Sequence, residues 1–152
     1  MDAALRRMIN RELRPLGSTG SWPHLRRVTA ERIDLITFQY FSSGGNFVVE
    51  VAVGAPGGFT TSWEKVMEPK RLTAHNITRP RPRLQPDRSF GPGATLPVSL
   101  SGSDWFVFGP RNYEPGGEVV HSAEHYDAVA ASVPIAIRTQ ADPFWANTPP
   151  SS

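Results

Sequence analysis

Three groups of residues in this chain have types and spacing suited to chemistry. His121-Ser122-Ala123-Glu124-His125 carries the H-x-x-E-H spacing, in which two histidines one helical turn apart ligate zinc and the glutamate activates a water. Such a site needs a helix through the whole string and an acidic ligand downstream. No glutamate follows His125, and only Asp127 and Asp142 remain. Ser122 is also a good N-cap with Glu124 in the first turn, which puts His121 outside the helix and removes the i, i+4 geometry. The string is therefore expected to start a helix, with no metal and no other cofactor.

The second group is Arg79-Pro80-Arg81-Pro82-Arg83. In an extended chain a period of two projects all three guanidinium groups to one side, where a phosphate or carboxylate can be held bidentately. The same pattern guards a sheet edge, since Pro80 and Pro82 donate no ladder hydrogen bond and charge discourages unwanted pairing. Edge protection is the expectation, with anion or nucleic-acid contact through Arg79, Arg81 and Arg83 as the alternative. Trp63, Trp105 and Trp145 are assigned to core or hinge packing rather than to base stacking. The third group, His24, Thr37 and Glu50 flanked by Trp22, Arg26 and Gln39, emerges only when the strands are aligned.

Composition narrows the classes without selecting one. Leu, Ile, Val and Phe total 35 of 152 residues, above the level at which disorder is the default, and the length suits one domain with its own core. Zero cysteines exclude a disulfide framework, a thiolate zinc site and a cysteine nucleophile. No run of 18 apolar residues occurs, since even Phe47 to Ala55 contains Glu50, so a transmembrane helix is not expected. Met1 to Leu16 has four arginines and no apolar run, which points to a surface helix rather than a secretory signal, and the cytosol is the expected compartment. The formal charge is only +2 although arginine outnumbers lysine 14 to 2, so charge alone indicates no partner. Neither G-x-x-x-x-G-K-[ST], G-x-G-x-x-G after a strand, nor G-x-S-x-G is present, which weakens the nucleotide and hydrolase classes.

The elements that must position these groups follow from periodicity. Leu5, Met8, Ile9 and Leu13 share one face of a helix over 2–14, with Asp2 as N-cap and Pro15 with Gly17 as its end. Segments 22–28, 32–41 and 46–54 are rich in aromatic and β-branched residues, and Ser42 to Gly45 forms a hairpin loop. Closing that loop pairs Tyr40 with Phe47, Phe38 with Val49, Ile36 with Val51 and Asp34 with Val53 on one nearly apolar face. The other face then carries Gln39 with Val48, Thr37 with Glu50 and Leu35 with Ala52. A turn at Thr29 to Arg32 aligns Val28 with Ile33 and Leu25 with Ile36, adding Trp22, His24 and Arg26 to that mixed face. Such a surface is typical of solvent or a binding groove.

Twelve of the fifteen prolines fall in residues 69–152, so the second half is expected to be loopier. Residues 71–84 and 104–108 are further strand candidates, with Gly91 to Gly102 a long loop between them. From Ala123 to Gln140, Tyr126, Val129, Ala130, Val133 and Ile137 recur at helical spacing, with Pro134 kinking the helix or beginning a second one. The result is a single two-layer α+β domain over 1–147, an antiparallel meander of four to five strands with N- and C-terminal helices packed on one face, and a frayed tail over 148–152.

The run Leu-Arg-Pro-Leu-Gly at 13–17, the Gly20 to Arg27 stretch ending Leu-Arg-Arg, the Ile33 to Gly45 strand with its Ser-Gly-Gly turn, and Trp105-Phe106 together resemble a bacterial family, domain of unknown function four-three-zero-four. The resemblance covers roughly residues 3–145, and where the family pattern has Gly-Phe-Lys this chain has Gly17-Ser18-Thr19. It implies a small soluble bacterial fold and no particular chemistry.

The function expected from these features is that of a non-enzymatic cytosolic domain binding a protein partner through the open mixed face of the sheet. A toxin-neutralising immunity protein is one form, although a basic chain is ill-suited to a basic nuclease target. The alternatives are a nucleic-acid or anion binder using the three arginines and a small enzyme built on His24 and Glu50, for which no nucleophile or oxyanion site is evident.

Overall fold

The apolar alternation between Ile33 and Gly54 buries one continuous face in one register only. That register is present in the computed structural model, which describes residues 1–78, 80–86, 104–110 and 120–150. Strands β1 (His24–Val28), β2 (Ile33–Tyr40) and β3 (Asn46–Gly54) form an antiparallel meander, with Leu25 opposite Ile36, Phe38 opposite Val49 and Thr37 opposite Glu50. The β2–β3 loop turns through Gly44 and Gly45 at φ 74° and 77°, a conformation open to residues without a Cβ. At the β1–β2 turn the Thr29 amide donates to Arg32 O at 2.9 Å, and the Thr29 hydroxyl accepts the Arg32 amide at 3.1 Å.

Helix α1 (Asp2–Met8) is preceded by Met1 rather than capped by Asp2, whose carboxylate instead accepts Tyr40 Oη at 2.5 Å. The helix widens into a π turn (Ile9–Leu13), tightens into a 3-10 turn (Arg14–Leu16) and stops at Gly17, φ 92°, where a left-handed residue ends the run. Helix α2 (Ala123–Ala136) is capped by Ser122, whose hydroxyl accepts the His125 amide, so His121 lies outside it as the capping argument requires. The helix continues through Pro134, and α-helical geometry yields only three residues later to a second π turn (Ile137–Ala141), followed by α3 (Asp142–Asn147).

Leu5, Met8 and Ile9 from the first helical segment and Val133, Ile137 and Trp145 from the last join Phe38, Phe47, Val49 and Val51 in one buried cluster. The fold is thus an α+β two-layer arrangement with both terminal helical segments on the apolar face. Each fully buried Leu, Val or Phe contributes about 1.5–3 kcal/mol, which makes this layer the main source of stability.

The opposite face is not open, which corrects the expectation from its mixed composition. Ile33, Leu35 and Ala52 are buried beneath Leu72, Ala74 and Ile77 in a second cluster. The covering segment is not a continuous strand over 71–84 but two 3-10 turns, Pro69–Arg71 and Ala74–Asn76. Thr73 and Asn76 cap the second reciprocally, with the Thr73 amide donating to Asn76 Oδ1 at 2.8 Å. Prolines 69, 80 and 82 lack the amide a ladder needs, and pairing is confined to the end of the segment. There Leu84 N donates to Val49 O at 2.8 Å and Val51 N to Pro82 O at 3.0 Å. Next along the same side of the meander, β6 (Phe106–Val107) pairs with the start of β3, a strand of two residues where five were expected. The Gly91 to Gly102 loop and Arg79 lie outside the described residues. Among the described residues no helix is long and apolar enough to cross a membrane.

Candidate functional site

Alternation along the meander places His24, Thr37 and Glu50 side by side on the face away from the helices. His24 Nδ1 lies 3.0 Å from Thr37 Oγ1, and Thr37 is fully buried at 0% exposure. Burial, the His75 ring with its centroid 5.6 Å away, and Arg26 lower the pKa of His24 below the ordinary imidazole value, because each disfavours the charged form. Glu50 is 5% exposed. Its Oε1 accepts Arg83 Nε at 3.3 Å, and its Oε2 lies 3.1 Å from Arg81 Nε and 3.4 Å from His75 Nε2. Neither of the last two is aligned as a hydrogen bond, so among the described residues Oε2 has the Arg81 guanidinium and the His75 ring beside it and no directed donor. Coulomb attraction needs no such alignment, and it offsets the cost of placing a carboxylate under the covering segment. Arg83 also reaches Asp104 at 3.3 Å, and Arg26 donates to Leu72 O at 3.1 Å and to Lys70 O.

Arg81 and Arg83 do project to one side, as their spacing predicts. That side is inward onto Glu50, so both guanidinium groups already have a carboxylate partner. The cluster brings together His24, Arg26, Thr37, Glu50, Arg81 and Arg83. Trp22 belongs elsewhere: its ring packs on Phe38 and Tyr40, with centroids 5.1 and 6.3 Å away, and under Arg6. Strand alternation begins only at His24, after a turn in which His24 N donates to Ser21 O at 2.8 Å and the Trp22–Pro23 peptide is cis, and this turn rotates Trp22 to the helix side. Gln39 is exposed near the hairpin end of β2 and makes no hydrogen bond to the cluster. His75 was missed by sequence reasoning, since it sits in a stretch whose composition suggests a strand and no periodicity announces a 3-10 turn laid back on the sheet.

The His24–Thr37 pair has the composition of a base beside a hydroxyl nucleophile. The Thr37 hydroxyl is nevertheless sealed from any substrate, and the Glu50 carboxylate is held between arginines. What this arrangement does is anchor residues 70–78 and 80–84 across the sheet. At the other candidate, the His121 and His125 rings lie 4.2 Å apart and His125 Nε2 is 2.8 Å from Phe108 O. Among the described residues no group of three or more His, Asp or Glu side chains is placed to hold a metal ion.

The layer covering the sheet has its own outer surface. Strands β4 (Phe59–Thr60) and β5 (Val66–Met67) form a separate hairpin, whose base is fixed by Phe59 and Met67 packing on the second core. Thr61 N donates to Lys65 O at 2.9 Å to close the tip, where Glu64 takes φ 59°. Trp63 at this tip is 89% exposed, and neighbouring Val66 is 62% exposed. Core packing, expected of the tryptophans, holds for Trp145, whose indole donates to Ala52 O at 3.0 Å. It fails for Trp63 because strands of two residues are too short to return the tip to the body. Comparison with family models, curated proteins and solved structures finds no match to the chain.

Proposed function

We propose that the protein is a non-enzymatic interaction domain whose protein partner docks on the β4–β5 hairpin, with Trp63 as the anchor. The observation that carries this reading is the 89% exposure of Trp63 on a hairpin whose base is fixed in a core. A tryptophan left in water on a pre-organised support costs little further ordering when a partner buries it, and tryptophan is the residue type most enriched at binding hot spots. The docking surface is therefore the hairpin rather than the sheet face, which the protein covers itself. The resemblance to the bacterial family fits a small interaction domain and adds no chemistry, and an immunity-type role would be one instance of it, by analogy. Nucleic-acid binding through Arg81 and Arg83 finds less support, since Glu50 engages both and Asp104 also engages Arg83.

The test is a partner pull-down from native lysate, with and without nuclease, comparing wild type with Trp63→Ser/Val66→Ser. Both side chains are exposed, so the variant should melt with the wild type while losing the nuclease-resistant partner. Retention of that partner by the variant would refute the hairpin, and loss of every wild-type partner on nuclease treatment would favour nucleic acid instead.

A further inference from the structure

The two π turns, Ile9–Leu13 and Ile137–Ala141, come from opposite ends of the chain and line the same cavity, of about 360 Å³, between the helical segments and the sheet. That volume is at the small end of the range for small-molecule sites, roughly 300–1,000 Å³, and π turns recur at functional sites because they displace side chains from regular helical packing. Leu13, Ile36, Ile137 and Trp145 form an apolar part of the wall, and charged side chains form the rest of it.

One cationic group on the wall is held in place from three directions. Arg27 donates from Nε to Asp34 at 2.9 Å and from Nη2 to Asp142 at 3.2 Å, and its guanidinium lies 5.3 Å from the Trp145 ring centre. Asp34, 1% exposed, also accepts Arg32 Nε at 2.7 Å, which locks the support in turn. Arg27 Nη1 has no acceptor among the described residues. Three arginines and three carboxylates line the cavity, but Asp34 is also paired by Arg32 from outside it. Glu12 is matched by Arg11, and Asp34 and Asp142 by Arg27 and Arg32, so Arg138, exposed at the second π turn, remains as the lining cation with no ion pair among the described residues.

We propose that this cavity binds a small organic acid, one carboxylate on an apolar body the size of a benzene ring or a short alkyl chain. The body lies against Leu13, Ile36, Ile137 and Trp145, and the carboxylate is held by Arg138 and the free edge of Arg27. A dianion would exceed the single unmatched charge, and a neutral ligand would leave Arg138 unanswered. This site is independent of the hairpin and stands or falls separately from it.

Titrations of the full chain with benzoate and with hexanoate, followed by the indole N–H resonance of Trp145, test the proposal, with benzamide as the uncharged control. At least one acid should shift that resonance saturably, and benzamide should bind far more weakly. Arg138→Gln should weaken the acid by roughly ten- to a hundredfold, the range for losing a charged hydrogen bond. Arg7→Gln, which removes a surface ion pair to Asp127, should leave it unchanged. No saturable shift with either acid, equal binding of benzamide, or equal effects of the two substitutions would overturn the proposal.

Discussion

Replacing Asp34 by Asn should destabilise the protein by about 3 kcal/mol, a large effect for a change that alters neither size nor shape. The Asp34 carboxylate is buried on the helix side of β2 and receives Arg27 at 2.7 and 2.9 Å and Arg32 at 2.7 Å. Taken singly, the two hydrogen bonds to a charged group among these contacts, at roughly 1.5–3 kcal/mol each, would be a large share of the stability of a domain. They are not additive, however, because Asn keeps one acceptor oxygen. Both arginines are also still partly hydrated, and Arg27 keeps Asp142 and the Trp145 face. Breaking one side of a buried ion pair costs about 3–5 kcal/mol, and these remaining contacts place the substitution at the lower end. For a chain of this size about 3 kcal/mol lowers Tm by roughly 6–12 °C. Urea unfolding followed by far-UV circular dichroism gives the free energy directly. A cycle with Arg32→Gln should show a coupling of roughly 1–3 kcal/mol. A cost below about 1 kcal/mol, or strict additivity with Arg32→Gln, would mean that the carboxylate is hydrated and that the pairing contributes nothing.

Phe38→Ala should cost roughly 3–5 kcal/mol in the same unfolding assay, whereas Thr37→Ala, buried but smaller, should cost about 1–2 kcal/mol through its lost bond to His24. Replacing Arg81 and Arg83 together by Gln should destabilise the protein by roughly 2–4 kcal/mol by stranding the Glu50 carboxylate, and adding Glu50→Gln should recover much of that loss; no recovery would show that the arginines act only at the sheet edge. Because His24 has a depressed pKa in the folded state, the unfolded chain takes up that proton first. The stability due to the neutral ring is full above the ordinary value of 6.5 and declines as pH falls below it. His24→Gln should flatten this decline in acid titrations of stability, and an unchanged slope would assign the decline to other groups.

The meander was legible because its pattern is local and redundant: three strands and two turns all agree on the pairing of Phe38 with Val49 and Leu25 with Ile36. The Ser122 cap was legible for the same reason, as one residue type at one position beside a helical repeat. What failed depends on contacts remote in sequence. The mixed face looks solvated when Thr37, Glu50 and His24 are read alone, yet it is closed by Leu72, Ala74 and Ile77, by the His75 ring and by the guanidinium groups of Arg81 and Arg83. Nothing in β2 or β3 encodes that lid. Trp22 was misplaced by extending a period of two across Pro23, where the backbone turns. The π turns at Ile9 and Ile137 had no visible signal, since an apolar spacing of three or four residues tolerates one wider turn.

The position of Glu50 has a consequence for how the strands find one another. It lies at the middle of β3, flanked by Val49 and Val51. If β3 paired with β2 one residue out of step, every side chain would exchange faces. The carboxylate would then enter the phenylalanine-lined layer, away from Arg81 and Arg83, at a penalty of several kcal/mol. Asn46, Val48, Ala52 and Gly54 share the native face of Glu50, so Glu50 is the one charged residue of β3 that opposes the slip. Glu50 therefore proofreads strand alignment, by making the hairpin slipped by one residue less stable than the native one.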